Sequence, residues 1–406
     1  MRHQNIVLHD LLKEIPWATF DQLVERHEAD ADQRGVTRKA HLIALLLGQF
    51  CGARGLREIE ENLNSHASKL YHLGGDTISK SVLSTANGSR AAAEVFGQLL
   101  SALMLQLQAG YRRKVKDCVR LIDSTSVRLS ALSSHWAAFS AGVCGAKAHI
   151  IYDPDADQPL YLMVTAGNIN DITAAKDMPI EPGATYVFDL GYYDYGWWAR
   201  LHQAACRIVT RLKANTPFEV LEDRPIAAGS SILSDRIGQL PKRLAASRRN
   251  PMSALVREIK VVIETGKVLR LLTNDLTASA QEIADLYKRR WAIELFFRWV
   301  KQTLKIKHFL GASENAVRIQ ITVALIAFVL LRLAHDAYPM VASAFAFARL
   351  IRANLMHRRS IAELLQAPSP PGSPPQQAAF DFGEYATRAA RRRRATRACP
   401  KLMRAA

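Results

Sequence analysis

The stretch YKRRWAIELFFRWVKQTLKIK, Tyr287 to Lys307, sets one acid inside a basic helical face. At ~100° per residue, with Arg290 as zero, Glu294 falls near 40°, Lys301 near 20°, Tyr287 and Lys305 near 60° and Arg298 near 80°. On the same wheel Ile293, Phe296, Phe297, Val300 and Leu304 occupy roughly 240 to 340°, an apolar stripe able to dock on a core. One side of this helix is expected to be pinned and the next presented. Read alone, Arg290 and Glu294 are equally well an i,i+4 surface ion pair contributing only ~0.3 kcal/mol. A phenol, a guanidinium, a carboxylate and an ammonium on one strip also suit a metal ligand flanked by phosphate contacts. Such a carboxylate needs partners elsewhere in the chain.

Two acids upstream have the right setting. In CVRLIDSTSVRLS, Leu121 and Ile122 read as strand, and Asp123 at its end is followed by small hydroxyl residues that leave room around the carboxylate. In ATYVFDLGYYDYGWW the apolar run Tyr186, Val187, Phe188 ends at Asp189, and Gly191 allows a sharp turn into a helix start. CRIVTRLKAN is a further core strand with Arg211 and Lys213 just beyond it. Taken singly, each Asp could equally be a helix cap or a turn former.

Between these lies GAKAHIIYD-PDADQ-PLYLMVTAG, two apolar runs around a polar turn and hence a hairpin. Asp153, Asp155 and Asp157 superficially suggest a calcium loop. Gln158 stands where that loop requires glycine and Val164 where it requires a bidentate glutamate, so these are turn residues. Residues 216 to 278 change character, with Gly and Pro punctuation, the basic cluster KRLAASRRN, and a hairpin turning at Thr265-Gly266; they read as a β-rich insertion. Ser279-Ala-Gln-Glu282 resembles a capping box that opens the organising helix.

Residues 1 to 112 read mostly as helix, a helical N-terminal domain. LREIEENLN, a break, and TISKSVLSTANGSR follow the plan of a helix-turn-helix, with Lys80, Ser81 and Ser84 candidates to face a DNA groove; a plain helical support domain is the alternative. Residues 313 to 352 supply more buried helix. Residues 366 to 406 are a Pro-rich spacer and a basic tail, expected to lack fixed structure.

The totals agree with a polyanionic partner. Lys plus Arg is 54 against 37 for Asp plus Glu over 406 residues, a net charge of +17, which points to nucleic acid or else to an anionic membrane surface. The apolar run Val323 to Leu331 is far short of the ~20 residues needed to span a bilayer and ends at Arg332, so no membrane partner is expected. The first residues carry acids and no apolar h-region, against a signal peptide. Five scattered cysteines without zinc-finger spacing fit a reduced, cytoplasmic setting.

Three acids on separate elements, Asp123, Asp189 and Glu294, suit two-metal phosphoryl transfer, in which carboxylates hold cations ~3.5 to 4 Å apart. At this point the sequence resembles the DDE transposases of bacterial insertion sequences, in the insertion sequence family 4 branch. Its mark, Tyr-x2-Arg-x3-Glu-x6-Lys, is present as Tyr287, Arg290, Glu294 and Lys301, with Asp123 in LIDST and Asp189 in FDLGYY. Further likenesses are Gly145-x-Lys147-x-His149, Asn170-Asp171 and TRLKAN, and the resemblance covers roughly residues 115 to 335.

The resemblance implies an α/β, ribonuclease H-like mixed sheet with flanking helices in residues 113–215 and 279–355, interrupted by the insertion. It implies two Mg2+ or Mn2+ ions on Asp123, Asp189 and Glu294, and phosphate contacts from Tyr287, Arg290 and Lys301, to which Arg298, Lys305, Arg211 and Lys213 are added as DNA-binding candidates. The implied activity is nicking at terminal inverted repeats of double-stranded DNA and joining of the freed 3′-hydroxyl to target DNA. The implied setting is a homodimer or higher assembly on the bacterial nucleoid. One departure is plain: no Trp occurs between Trp198 and Trp291, where a characterised relative carries one in the insertion to stack a flipped base. A metal-dependent nuclease without strand transfer and a non-catalytic DNA-binding regulator are the alternative functions.

Overall fold

The computed structural model describes residues 6–31, 35–108, 118–140, 142–227, 229–243, 249–303, 309–338, 341 and 343–366. The chain divides into residues 1–361 and 362–406, and the architecture below is that of the first unit. Lys305, Leu304 and the basic tail lie outside the described residues.

Seven helices open the chain: α1 (Val7–Leu12), α2 (Trp17–Arg26), α3 (Arg38–Cys51), α4 (Leu56–Ser65), α5 (Ala67–Leu70), α6 (Lys80–Asn87) and α7 (Arg90–Gln108). Start signals are local. The Thr37 hydroxyl accepts the Ala40 N–H and begins α3, and Gly52, at φ 72°, closes it in the left-handed region that glycine enters without a steric penalty. Ser79 caps α6 in the same way, leaving Lys80, Ser81 and Ser84 exposed while Leu83 and Ala86 are fully buried.

The next stretch alternates: β1 (Val119–Leu129), β2 (Ala138–Ser140), β3 (Val143–Asp153), β4 (Gln158–Ala166), α8 (Asp171–Ala175), β5 (Thr185–Val187), α9 (Tyr195–Gln203) and β6 (Arg207–Arg211). Then come β7 (Glu219–Asp223), β8 (Ile232–Gln239), β9 (Val256–Val262) and β10 (Val268–Thr273), followed by α10 (Ala280–Arg289), α11 (Trp291–Thr303), α12 (Glu314–Asp336) and α13 (Ala344–Asn354).

One sheet runs through all of this in the order β2-β3-β1-β5-β6-β10-β9-β8-β7, with β4 also on β3. β3 is antiparallel to β1 and β4, while β1, β5 and β6 are parallel neighbours. The central order β4-β3-β1-β5-β6, with the first hairpin antiparallel and the last three strands parallel, is ribonuclease H-like. The insertion strands do not fold apart. β10 pairs antiparallel with β6 at Leu272↔Thr210, so β7 to β10 prolong the same sheet. Inside that extension Arg257, 1% exposed, makes a bidentate pair with Asp235, 2.6 Å on each oxygen.

The expected single helix from Tyr287 is two helices meeting at Arg290. There the backbone tightens: the Arg290 N–H donates to the Tyr287 carbonyl and the Ile293 N–H to the Arg290 carbonyl, both three residues back. The apolar stripe is as the wheel placed it, with Ile293, Phe296, Phe297 and Val300 all buried. Ser279 caps α10, but Glu282 does not return to it; its carboxylate takes the Arg207 guanidinium at 2.8 Å, tying α10 to β6.

The short apolar run Val323 to Leu331 is part of a longer helix. α12 has 23 residues, long and apolar enough by length and composition to cross a membrane, and 78% of its most apolar window is buried inside the protein. It packs against α3 and α7. A helix apolar on nearly every side belongs in such a core.

Candidate active site

Register places the first two acids. Leu121 of β1 is paired in parallel with Val187 of β5, and each is followed two residues later by an Asp. Side chains two residues apart on a strand share a face, and neighbouring strands lie ~4.8 Å apart, so Asp123 and Asp189 stand side by side just past the last β1–β5 pair. Asp123 does not end its strand as expected: β1 runs on to Leu129, because β3 continues the pairing that β5 drops, with Asp123 opposite Ile150. Asp189 is extended and accepts the Gly191 N–H at 2.8 Å, which bends the chain away from the strand. Beneath it Phe188, Tyr192, Trp197 and Trp198 form a fully buried aromatic floor; the Phe188 and Trp197 centroids are 4.8 Å apart.

The helix junction brings the third. Arg290 reaches Asp123 Oδ2 through Nη1 at 3.2 Å and Glu294 Oε1 through Nη2 at 2.5 Å. A side chain from residue 290 thus links acids from residues 123 and 294. Burial pushes the Asp123 carboxyl up to about 6; the Ser124 N–H on its Oδ1 opposes this, the negative charges of Asp189 and Glu294 add to it, and Arg290 offsets part. Arg290 thus joins Asp123 to Glu294 directly, while Asp189 acts on Asp123 through its charge.

The flanking cations divide. Tyr287 is 8% exposed and stands close to Arg290, Arg211 and Asp189; its phenol is raised by burial, while the two guanidiniums pull it back. Arg211 therefore belongs to the site edge. Lys301 is half-buried, and burial lowers its ammonium. Lys213 lies over the Tyr193 ring, 4.6 Å from its centroid. Arg298 is exposed, one turn beyond Glu294 on α11. It lines a cleft of about 350 Å3 with Tyr152, Leu295, Phe296, Trp299 and Phe345.

The donor chemistry suits a hard divalent cation, since all three acids offer carboxylate oxygen. Among the described residues, however, no three His, Cys, Asp or Glu side chains converge as a ready-made metal cage. The Arg290 guanidinium bonds both Asp123 and Glu294. The residues fit the ions provided that guanidinium turns away.

Sequence comparison decides the family. Residues 114–330 match the model of the transposase DDE domain, and residues 3–75 match a domain of unknown function (DUF4372). The chain belongs to the DDE transposases. It is similar to a Sinorhizobium fredii protein named as transposase y4zB, 40% identical over 286 residues, covering 70% of this chain and 80% of that one. It is also similar to a Geobacillus stearothermophilus protein named as the transposase for insertion sequence element IS5377, 30% identical over 253 residues, 60% of this chain and 64% of that one. The solved piggyBac transposase synaptic complex with hairpin DNA aligns at a TM-score of 0.42 and 11% identity over 91% of this chain and 82% of that one, too slight a likeness to bear on the fold.

Two residues beside Arg290 and Ser124 were not assigned from sequence. Trp291, next to Arg290, is 52% exposed, the sort of aromatic that stacks on a base. Asp171, seen only as half of Asn170-Asp171, accepts Ser124 Oγ at 2.8 Å and Lys147 Nζ at 3.1 Å on one oxygen. No spacing rule places it there; the fold of β3 and α8 does.

Proposed function

We propose that this DDE transposase cleaves the ends of an insertion sequence at its terminal inverted repeats and joins the freed 3′-hydroxyls to target DNA, using Asp123, Asp189 and Glu294 as its catalytic acids. The supporting observation is the Arg290 guanidinium bonded to both Asp123 and Glu294, with Asp189 within charge reach of Asp123 just past the β1–β5 pairing. Two Mg2+ or Mn2+ ions bound by these acids supply Lewis-acid activation of the attacking oxygen and charge stabilisation of the leaving oxygen.

The chain's own groups do the rest. In cleavage, water adds to the phosphorus, the P–O3′ bond breaks and the 3′-oxygen leaves as a hydroxyl; in joining, that hydroxyl attacks a target phosphodiester and the target strand's own 3′-oxygen departs. Both steps develop negative charge on non-bridging phosphate oxygens. Arg290 is poised to exchange its carboxylate partners for such an oxygen, and a guanidinium does this bidentately. Tyr287 and Arg211 border the same edge and, with Lys301, hold the flanking backbone. Lys80, Ser81 and Ser84 on the exposed side of α6 contribute to reading the repeats, and two copies hold the two ends.

The test is nicking and joining of a duplex carrying the flanking repeats in Mg2+. Asp123→Ala, Asp189→Ala and Glu294→Ala should each lower nicking at least ~1,000-fold while repeat binding in chelator is kept. Wild-type nicking without joining would leave a metal-dependent nuclease, and normal nicking by any one variant would remove that acid from the site.

A further inference from the structure

Asp123 and Asp189 are carried by neighbouring strands whose paired registers stop short of both acids. Something must fix their tips relative to one another. We propose that Asp171, held by Lys147, is the positioning residue that does so; this deepens the reading of Asp123 and Asp189 as metal ligands and rests on it.

Asp171 touches the setting of both acids. Its Oδ1 accepts the hydroxyl of Ser124, the residue that also donates its backbone N–H to Asp123 Oδ1 at 2.8 Å. Its Oδ2 lies 3.0 Å from the point where a Cβ on Gly191 would sit, as does Asp189 Oδ1. Gly191 is the residue whose N–H holds Asp189. A single carboxylate thus abuts the neighbour of one catalytic acid and the clamp of the other, and a side chain at 191 would crowd both carboxylates. Between the two sites Tyr192 is fully buried, its hydroxyl within electrostatic reach of Asp123, Asp171 and Asp189.

Asp171 is itself held from the far side. Lys147 on β3 donates to the Ile169 carbonyl at 2.9 Å as well as to Asp171, so one ammonium ties the turn before α8 to the sheet. His149, 0% exposed, stands one pleat further along with Nε2 2.9 Å from Thr165 Oγ1 and Nδ1 3.8 Å from Asp171 Oδ1. The Lys147 charge balances that of Asp171, and Oδ1 is engaged by two donors. A carboxylate neutralised and engaged in this way supports other ligands; it is not arranged as one. Outer residues of this kind commonly alter metal affinity 10- to 100-fold when removed.

Mn2+ alone, titrated calorimetrically into the full-length chain without DNA, tests this. Asp171→Ala should weaken Mn2+ binding about tenfold, with an unchanged unfolding midpoint and unchanged binding of repeat DNA in chelator. Asp171→Asn, which keeps an acceptor for Ser124, should restore binding to near the wild-type level. Ser124→Ala should reproduce part of the loss, and combining it with Asp171→Ala should add nothing. Wild-type Mn2+ affinity in Asp171→Ala would overturn the proposal. So would an Asp171→Asn variant as weak as the alanine, because the charge and not the hydrogen bond would then matter. Asp123→Ala run beside them separates the two readings: if it binds Mn2+ normally, the assignment of the metal ligands fails, and if only the Asp171 series is silent, the positioning role fails alone.

Discussion

Asp123 sits where neither burial nor its acidic neighbours favour its charge, and only Arg290 and one backbone N–H oppose them. A residue so placed costs the fold stability, a common feature of functional groups. Asp123→Asn is therefore expected to stabilise the protein in chelator by about 1 kcal/mol, seen as a rise of roughly 2 °C in Tm, while abolishing nicking. A fall in Tm would show that the Arg290 contact outweighs the burial. At this scale the sequence carried much. The wheel paired Arg290 with Glu294, and the contact is there at 2.5 Å. The strand-end pattern holds for Asp189, which follows β5, but not for Asp123, which lies inside β1 because β3 extends that strand to Leu129. Asp171 was not legible as a site residue, because its partners Ser124, Lys147 and Gly191 lie on three other segments.

Among elements, capping and period-2 patterns were readable because their causes are local. Ser279 caps α10, and Gly266, at φ 77°, turns the β9–β10 hairpin where the sequence placed it. The kink at Arg290 was not readable, since both halves have helical composition and the break is set by what each side packs on. Nor was the pairing of β10 with β6, which depends on long-range register. The buried pair Arg257–Asp235 fastens β8 to β9 in that extension. Asp235→Ala would strand a guanidinium that is 1% exposed, so a loss of about 3 to 5 kcal/mol is expected in chemical denaturation. A change below ~1 kcal/mol would mean that solvent reaches Arg257. Ser279→Ala should cost less, about 1 kcal/mol, as loss of one cap.

For the molecule as a whole, acid is the natural stress. His41, on α3 against Asn87 of α6, and His149, inside the sheet, are both lowered to about 4, in each case first by burial. The unfolded chain takes up these protons near pH 6.5 and the folded chain only near 4. The stability they contribute is therefore complete above about 6.5 and is lost as pH falls toward 4, by up to ~3 kcal/mol for each histidine. Denaturation at pH 7.5 and 4.5 should show the loss, and His41→Gln should reduce it. An equal pH dependence in that variant would place the effect elsewhere.

The central claim is that Asp123, Asp189 and Glu294 share one divalent-metal site. Replacing the metal with Fe2+ and generating hydroxyl radicals cuts the polypeptide only beside the bound ion, so the cut positions report the ligands directly. Cuts clustered at residues near 123, 189 and 294, all suppressed by excess Mg2+, are the expected result; cuts absent from any one of the three segments, or unaffected by Mg2+, would contradict it.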